Sequence, residues 1–201
     1  MSKFLLHTCC APCSIAIIDE LKSKYDLTVF FYNPNIYPES EYLKRKDEVV
    51  KVCEEWGVKM IDEDYEIEKW NEAVKGLENE PEMGARCTVC FKLRLERTAQ
   101  YASENNFDIF STSLTSGRNK KALIINPIGL ELSKKYNVEY LVEDWKKAGR
   151  PTSATSFAKA SEVKKATAGK QESRQEKATR LINERGVYRQ DYCGCQYSLK
   201  Q

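Results

Sequence analysis

The sequence predicts an α/β fold, a mostly parallel sheet with helices on both faces. Short apolar runs alternate along the chain with segments whose apolar residues recur at helical spacing. That alternation is the order that builds parallel sheets through right-handed crossovers. A composition of 41% hydrophobic, 31% charged and 10% aromatic residues over 201 positions supports a single domain spanning 1–201. A chain of this size buries roughly 70% of its unfolded surface.

Residues 3–8 (KFLLHT) read as the first strand and 14–24 as the first helix, with Ile15, Ile18 and Leu21 on one face. Residues 27–32 form a second strand, closed by the loop 33–38, whose two prolines cannot continue a central strand. A helix follows from near Ser40 to about Trp56. Residues 58–61, 107–111 and 138–142 are further strands, separated by helical patterns at 66–77, 91–104 and 128–136. The last helix covers 175–185, with Ala178, Leu181 and Ile182 inward and Gly186 as its stop. Residues 151–174, rich in Ser, Thr, Ala and Lys with little apolar periodicity, break the rhythm and read as an exposed insertion. In open parallel sheets ligands bind beyond the carboxyl ends of the strands, where the loop 9–13 falls.

This composition excludes a disordered chain, a collagen and a small disulfide-stapled scaffold. No apolar run approaches the roughly 20 residues of a membrane span, and Phe4, Leu5 and Leu6 are too short a patch for a signal-peptide core. The expectation is a soluble, cytoplasmic protein without a membrane partner. In that reducing compartment its 8 cysteines serve as metal ligands or redox thiols rather than as staples. Charge is uneven: residues 146–190 carry 12 Lys or Arg against 4 Asp or Glu, and the remainder 20 against 26. A basic stretch of this kind attracts nucleic-acid phosphates, or simply solvates a face.

Seven of the eight cysteines fall into three groups: Cys9, Cys10 and Cys13 in HTCCAPC, Cys87 and Cys90 in RCTVC, and Cys193 and Cys195 in YCGC. Cys53 stands apart on the apolar face of its helix with Val49 and Trp56, as a small buried hydrophobe. A Cys-x-x-Cys pair directs two sulfurs toward one point, and two distant pairs complete a four-thiolate site that fits zinc or an iron–sulfur cluster. Zinc on Cys10, Cys13, Cys87 and Cys90 leaves Cys9 without a task. A cluster on Cys9, Cys10, Cys87 and Cys90 leaves Cys13 to ligate a second metal or face a substrate. Cys13 precedes one expected helix and Cys90 opens another, so two helix dipoles would favour an anionic centre. In Cys193-Gly194-Cys195 the glycine relaxes the backbone, so the sulfurs could close into a strained, reducible ring or hold a metal.

His7, the single histidine, reads as a hydrogen-bonded strand residue near the site, with proton donation or metal ligation as the other roles. Asp144 and Asp191 could supply a hard oxygen ligand. Among nearby cations, Arg86 and Arg189 each adjoin a cysteine group and are candidates for phosphate or base contacts. Tyr32, Asn33, Asn35 and Tyr37 in FYNPNIYP suit either stacking on a flipped base or a plain turn.

HTCCAPC with its following helix, FYNPNIYP followed by EYLKR, RCTVCFKLRL, and YRQDYCGC near the C-terminus together resemble the cobalamin-independent, iron–sulfur epoxyqueuosine reductases. The similarity covers most of residues 3–146 and 185–198, while 115–121 (TSGRNKK) matches more loosely. The resemblance implies an adenine-nucleotide α-hydrolase-like (PP-loop-like) fold and the reduction of the epoxide of epoxyqueuosine in tRNA to the cyclopentene of queuosine. It further implies a 4Fe-4S cluster on Cys9, Cys10, Cys87 and Cys90, a redox-active pair at Cys193 and Cys195, and an additional iron beside the cluster, for which Cys13 is the candidate ligand. Bare zinc supplies no electrons for such a deoxygenation. An external electron donor is therefore required.

Two readings compete with this one. A thiol–disulfide oxidoreductase would use Cys10-Ala-Pro-Cys13 between a strand and a helix. A zinc-stabilised RNA-binding module would use the basic segment.

Overall fold

The computed structural model describes residues 1–146 and 172–199. Five strands, β1 (Lys3–His7), β2 (Asp26–Phe31), β3 (Lys59–Asp62), β4 (Ile109–Thr112) and β5 (Glu139–Tyr140), form one sheet in the order β3-β2-β1-β4-β5. Every pairing is parallel, with His7 opposite Phe30 on one side and Thr112 on the other. Side chains of a strand alternate between faces, and both faces are covered here. Phe4, Leu6, Val29 and Phe31 pack with Ile15 and Ile18 of α1 (Ala11–Leu21), Val49 and Val52 of α2 (Glu39–Trp56) and Leu181 and Ile182 of α6 (Arg174–Arg185). Leu5, Phe30 and Phe110 pack on the other face with Phe91, Leu95 and Ala99 of α4 (Ala85–Glu104) and Ile125, Ile128 and Leu132 of α5 (Ala122–Tyr136). A short helix, α3 (Ile67–Ala73), stands at the carboxyl edge, where Trp70 meets Cys90 and Cys195. Among the described residues no helix is long and apolar enough to cross a membrane.

The order 3-2-1-4-5 is that of a doubly wound sheet in which the direction of strand addition reverses between β1 and β4. The crevice outside the carboxyl ends of those two strands is the place such a sheet offers a ligand. β1 leads directly into Thr8, Cys9 and Cys10, and β4 into the 3-10 turn Ser113–Ser116.

Several element boundaries correct the expectation, among them the end of α3 at Ala73 where the pattern runs to 77. α1 begins at Ala11, not Ser14: Pro12 supplies a preset φ in the first turn, and Ser14 Oγ donates to the Cys10 carbonyl at 2.9 Å. Cys13 therefore lies inside the first turn. α4 begins at Ala85 because Glu80 reaches forward to accept the Ala85 N–H at 2.9 Å, which places Cys87 and Cys90 both within the helix, three residues apart on one face. α5 starts before Pro127, since Leu123, whose carbonyl loses its partner there, is 89% exposed to water. β5 pairs over Glu139 and Tyr140 alone. At the far end, α6 opens on a capping box between Ser173 and Glu176, and Gly186 stops it with φ 60, as expected. Arg174, read as the end of the exposed insertion, is helical and paired with Glu20 at 2.8 Å. Residues 147–171, which include most of that stretch, lie outside the described residues.

Candidate metal centre and cleft

The turn between β1 and α1 gathers three thiols. The sulfurs of Cys9, Cys10 and Cys13 all lie within 4.8 Å of one another, with Cys9 Sγ and Cys10 Sγ 3.8 Å apart. Gln190, 180 residues further along the chain, donates from Nε2 to Cys10 Sγ at 2.9 Å. Hydrogen bonds from the Cys10 and Cys13 thiols, with Lys120 and Arg94 behind them, outweigh burial and hold Cys9 well below the ordinary thiol range. Burial and its two sulfur neighbours push Cys10 well above that range. The Cys10 contact draws Cys13 down, but its contact with Cys9, burial and the Cys9 charge prevail and push it up to about 12. One thiolate shared among three sulfurs is a nucleus for metal binding.

The other four clustered cysteines meet in an adjoining space. Cys87, Cys90, Cys193 and Cys195 line one enclosed chamber with Asn35, Trp70, Arg86 and Arg94. Burial raises Cys87, and burial pushes Cys90 up to about 11. All eight cysteines are free thiols, and Cys53 is buried under α2 with Val49 and Val52, as expected.

Two buried cations lie between the thiol groups. Burial opposes the charge on Arg94, yet Cys90, Cys9, Cys193 and Cys87 more than offset it. Burial opposes the charge on Lys120 likewise, and Cys193, Cys9 and Cys13 hold it protonated. Both cations thus favour thiolates from more than one group.

Outside this centre opens a cleft of about 580 Å³, lined by Cys13, Lys120, Gln190, Asp191 and Cys193, with Arg118 exposed at its rim. That volume suits a nucleoside-sized guest. Cys193 faces both the cleft and the chamber.

The chamber contains unmatched donors. Asn35 Nδ2, Arg86 Nε and Arg94 Nη2 are buried donors without a hydrogen-bond partner, the acceptor Asn35 Oδ1 likewise, and Trp70 Nε1 has only the Cys90 thiol. Each such atom costs roughly 1–3 kcal/mol if nothing answers it. Four thiols surrounded by N–H donors match an anionic sulfur-rich group, because metal-bound sulfurs accept such bonds. The residues present therefore fit an iron–sulfur centre.

The sequence reading missed Arg45. Only 2% exposed, Arg45 pairs through Nε with Glu41 Oε1 at 2.7 Å and donates to the carbonyls of Cys193 and Tyr192 at 3.1 and 3.2 Å. It fastens the Cys-Gly-Cys loop to α2. The signal was its place in EYLKR, where a helical arginine reads as a solvated charge. Lys120 is likewise buried, where its letters in TSGRNKK read as a solvated charge.

Several expectations need correcting. Arg86 is 1% exposed, and its Nη1 donates to the carbonyls of Leu77, Glu78 and Glu80, so it organises a loop and does not meet phosphate. Arg189 is exposed and bonds Asn183. Tyr32, Asn33 and Asn35 are buried, and of these four candidates Tyr37 alone reaches solvent. Base stacking by the first three is thereby excluded. His7 is fully buried between Thr112 Oγ1 at 2.8 Å and the Tyr32 carbonyl at 3.2 Å. Burial, then Arg94, lowers its imidazole to about 3, so it is a neutral structural residue. Asp191 lines the cleft, whereas Asp144 accepts the Lys146 N–H at 3.3 Å.

Comparison with known proteins places this arrangement. Residues 4–167 and 158–201 match the family described as Epoxyqueuosine reductase QueH. The chain is 40% identical over 201 residues to the Epoxyqueuosine reductase QueH of Histophilus somni, covering 99% of this chain and 73% of that protein. It is 41% identical to that of Acinetobacter baylyi, with coverage of 98% and 81%, and 35% identical to that of Thermotoga maritima, with coverage of 99% and 91%. Among solved structures it is similar to the U34-tRNA thiolase NcsA from Methanococcus maripaludis with its 4Fe-4S cluster, at 13% identity and TM-score 0.46 over 91% of this chain and 65% of that one. A predicted subunit of tRNA methyltransferase from Methanocaldococcus jannaschii aligns at 15% identity and TM-score 0.47, covering 94% of this chain and 91% of that one. With matches over nearly its whole length, the chain belongs to the epoxyqueuosine reductase QueH family.

Proposed function

We propose that this protein is an epoxyqueuosine reductase acting on tRNA in the cytoplasm, converting the epoxide of epoxyqueuosine to the alkene of queuosine. Loss of the epoxide oxygen as water consumes two electrons and two protons. The observation that carries the reading is that seven thiols from three distant stretches fall into two groups, Cys9, Cys10 and Cys13 in one and Cys87, Cys90, Cys193 and Cys195 in the other, with two buried cations each charged against members of both. A 4Fe-4S cluster, with a second iron beside it, would supply electron transfer and Lewis acidity there.

Cys9, Cys10, Cys87 and Cys90 are the ligands in this reading, and Arg94, charged against Cys90, Cys9 and Cys87, stabilises the anionic set. Cys13 lines the cleft and is placed to face the substrate or hold the second iron. Lys120, cationic and part of the same lining, offers a positive partner to oxygen as the C–O bond breaks. Cys193 and Cys195 give up two electrons and two protons when they oxidise to a disulfide, and an external donor reduces them again. The basic segment 146–190 draws in the tRNA.

The competing readings fit less well. A thiol–disulfide oxidoreductase needs a low-pKa attacking thiol, and Cys10 is raised while Cys13 is pushed up to about 12. A zinc module on Cys10, Cys13, Cys87 and Cys90 would exclude Cys9, the thiolate of the trio. Protein purified without oxygen should be brown, contain iron and sulfide, and convert epoxyqueuosine in tRNA with a chemical reductant. A colourless protein with a full complement of zinc would overturn the reading.

A further inference from the structure

Buried polar groups in folded proteins nearly always find a partner. Here the exceptions concentrate: of the seven buried side-chain atoms without a nitrogen or oxygen partner among the described residues, five belong to Asn35, Trp70, Arg86 and Arg94. All four residues line the chamber that holds Cys87, Cys90, Cys193 and Cys195. An indole N–H can only donate, and so can a guanidinium. Trp70 packs directly with Cys90 and Cys195 in one buried cluster, and Arg94 is charged against Cys90 and Cys87. The Trp70 indole has only the Cys90 thiol to donate to, and Asn35 Nδ2, Arg86 Nε and Arg94 Nη2 have no acceptor among the described residues, so sulfur held at Cys87 and Cys90 is the acceptor this chamber offers them.

Building on the function proposed above, we infer that Asn35, Trp70, Arg86 and Arg94 donate hydrogen bonds to the sulfurs of an iron–sulfur cluster held at Cys87 and Cys90, and thereby set its reduction potential. A reduced cluster carries one more negative charge than its oxidised form, so N–H donors stabilise the reduced state more and raise the potential. These are positioning and tuning residues; none of them touches the reacting carbon or oxygen.

Trp70→Phe removes the donor while keeping most of the ring, and Asn35→Ala removes the amide. With protein reconstituted anaerobically, EPR-monitored redox titration should show each variant shifting the reduction equilibrium toward the oxidised cluster by up to about tenfold, or about 59 mV for a one-electron couple. Trp56→Phe, whose indole N–H bonds Glu55 at 3.2 Å away from the chamber, should leave the potential unchanged. The metal-free Trp70→Phe protein should melt lower through the packing lost with the smaller ring, yet reload with iron and sulfide to the parental level and show the shifted potential; a purely structural role predicts reduced loading with the potential of the loaded fraction unchanged. A loaded protein whose potential is the same in both chamber variants overturns this inference while leaving the reductase reading intact. A protein that binds no iron or sulfide overturns both.

Discussion

The Arg45 guanidinium reaches the main-chain carbonyl of Cys193, 148 residues further along the chain, at 3.1 Å. Its second nitrogen takes the Tyr192 carbonyl, the Tyr192 ring lies 5.0 Å from the guanidinium, and the Tyr37 N–H donates to the Gly194 carbonyl at 2.8 Å. The Cys-Gly-Cys loop is thus held by α2 and by the loop after β2.

Arg45→Lys keeps the charge and loses the fork that spans two carbonyls. Bonds to a charged donor contribute roughly 1.5–3 kcal/mol, so misplacing the loop should cost turnover about tenfold or more. Iron content should stay at the parental level. Turnover and iron assays on the same preparation check this, and parental turnover would release Arg45 from the role.

Gly194→Ala tests the same clamp from the other side. At φ 115 a Cβ is strained, and it would stand 2.8 Å from Arg45 Nη1. The variant should lose about 1–3 kcal/mol, seen as a Tm several degrees lower. An unchanged melting curve would mean the loop tolerates another backbone conformation.

The two thiol groups of the chamber should separate by phenotype. Cys87→Ser is expected to remove both the visible absorbance of the bound cluster and activity. Cys195→Ser should retain the absorbance and stop turnover with any donor that works through the dithiol. An active, colourless Cys87→Ser protein, or a Cys195→Ser protein with full turnover, would contradict the assigned roles.

His7 gives a pH signature that is easy to isolate, because it is the sole histidine. Burial and Arg94 lower its folded pKa to about 3 from an ordinary 6.5. The unfolded chain therefore takes up a proton that the native chain refuses. Its contribution to stability is complete above pH 6.5 and falls by about 1.4 kcal/mol per pH unit as the pH drops toward 3. NMR of the single imidazole should show it neutral at pH 5; a midpoint near 6.5 would mean the ring is solvated.

Much of this protein was legible before folding. Alternating apolar runs gave the parallel α/β sheet, because the 2-residue and 3.6-residue periods are local properties of the chain. Clustered cysteines marked the chemistry, and Gly186 marked the end of α6. Helix starts at Ala11 and Ala85 were less legible, since Pro12 and the distant carboxylate of Glu80 begin those helices ahead of their apolar pattern.

Sequence by itself determined which residues are available for the chemistry, because the number of thiols and their spacing show in the letters. Tertiary structure alone decided how they are grouped. It put Cys13 with Cys9 and Cys10, set Cys87 and Cys90 against Cys193 and Cys195, and buried Arg45, Arg94 and Lys120, which in the sequence look like any solvated cation. The physical reason is that burial and the fields between charges depend on distances through space, and the crossovers of a parallel sheet bring together residues that lie far apart along the chain.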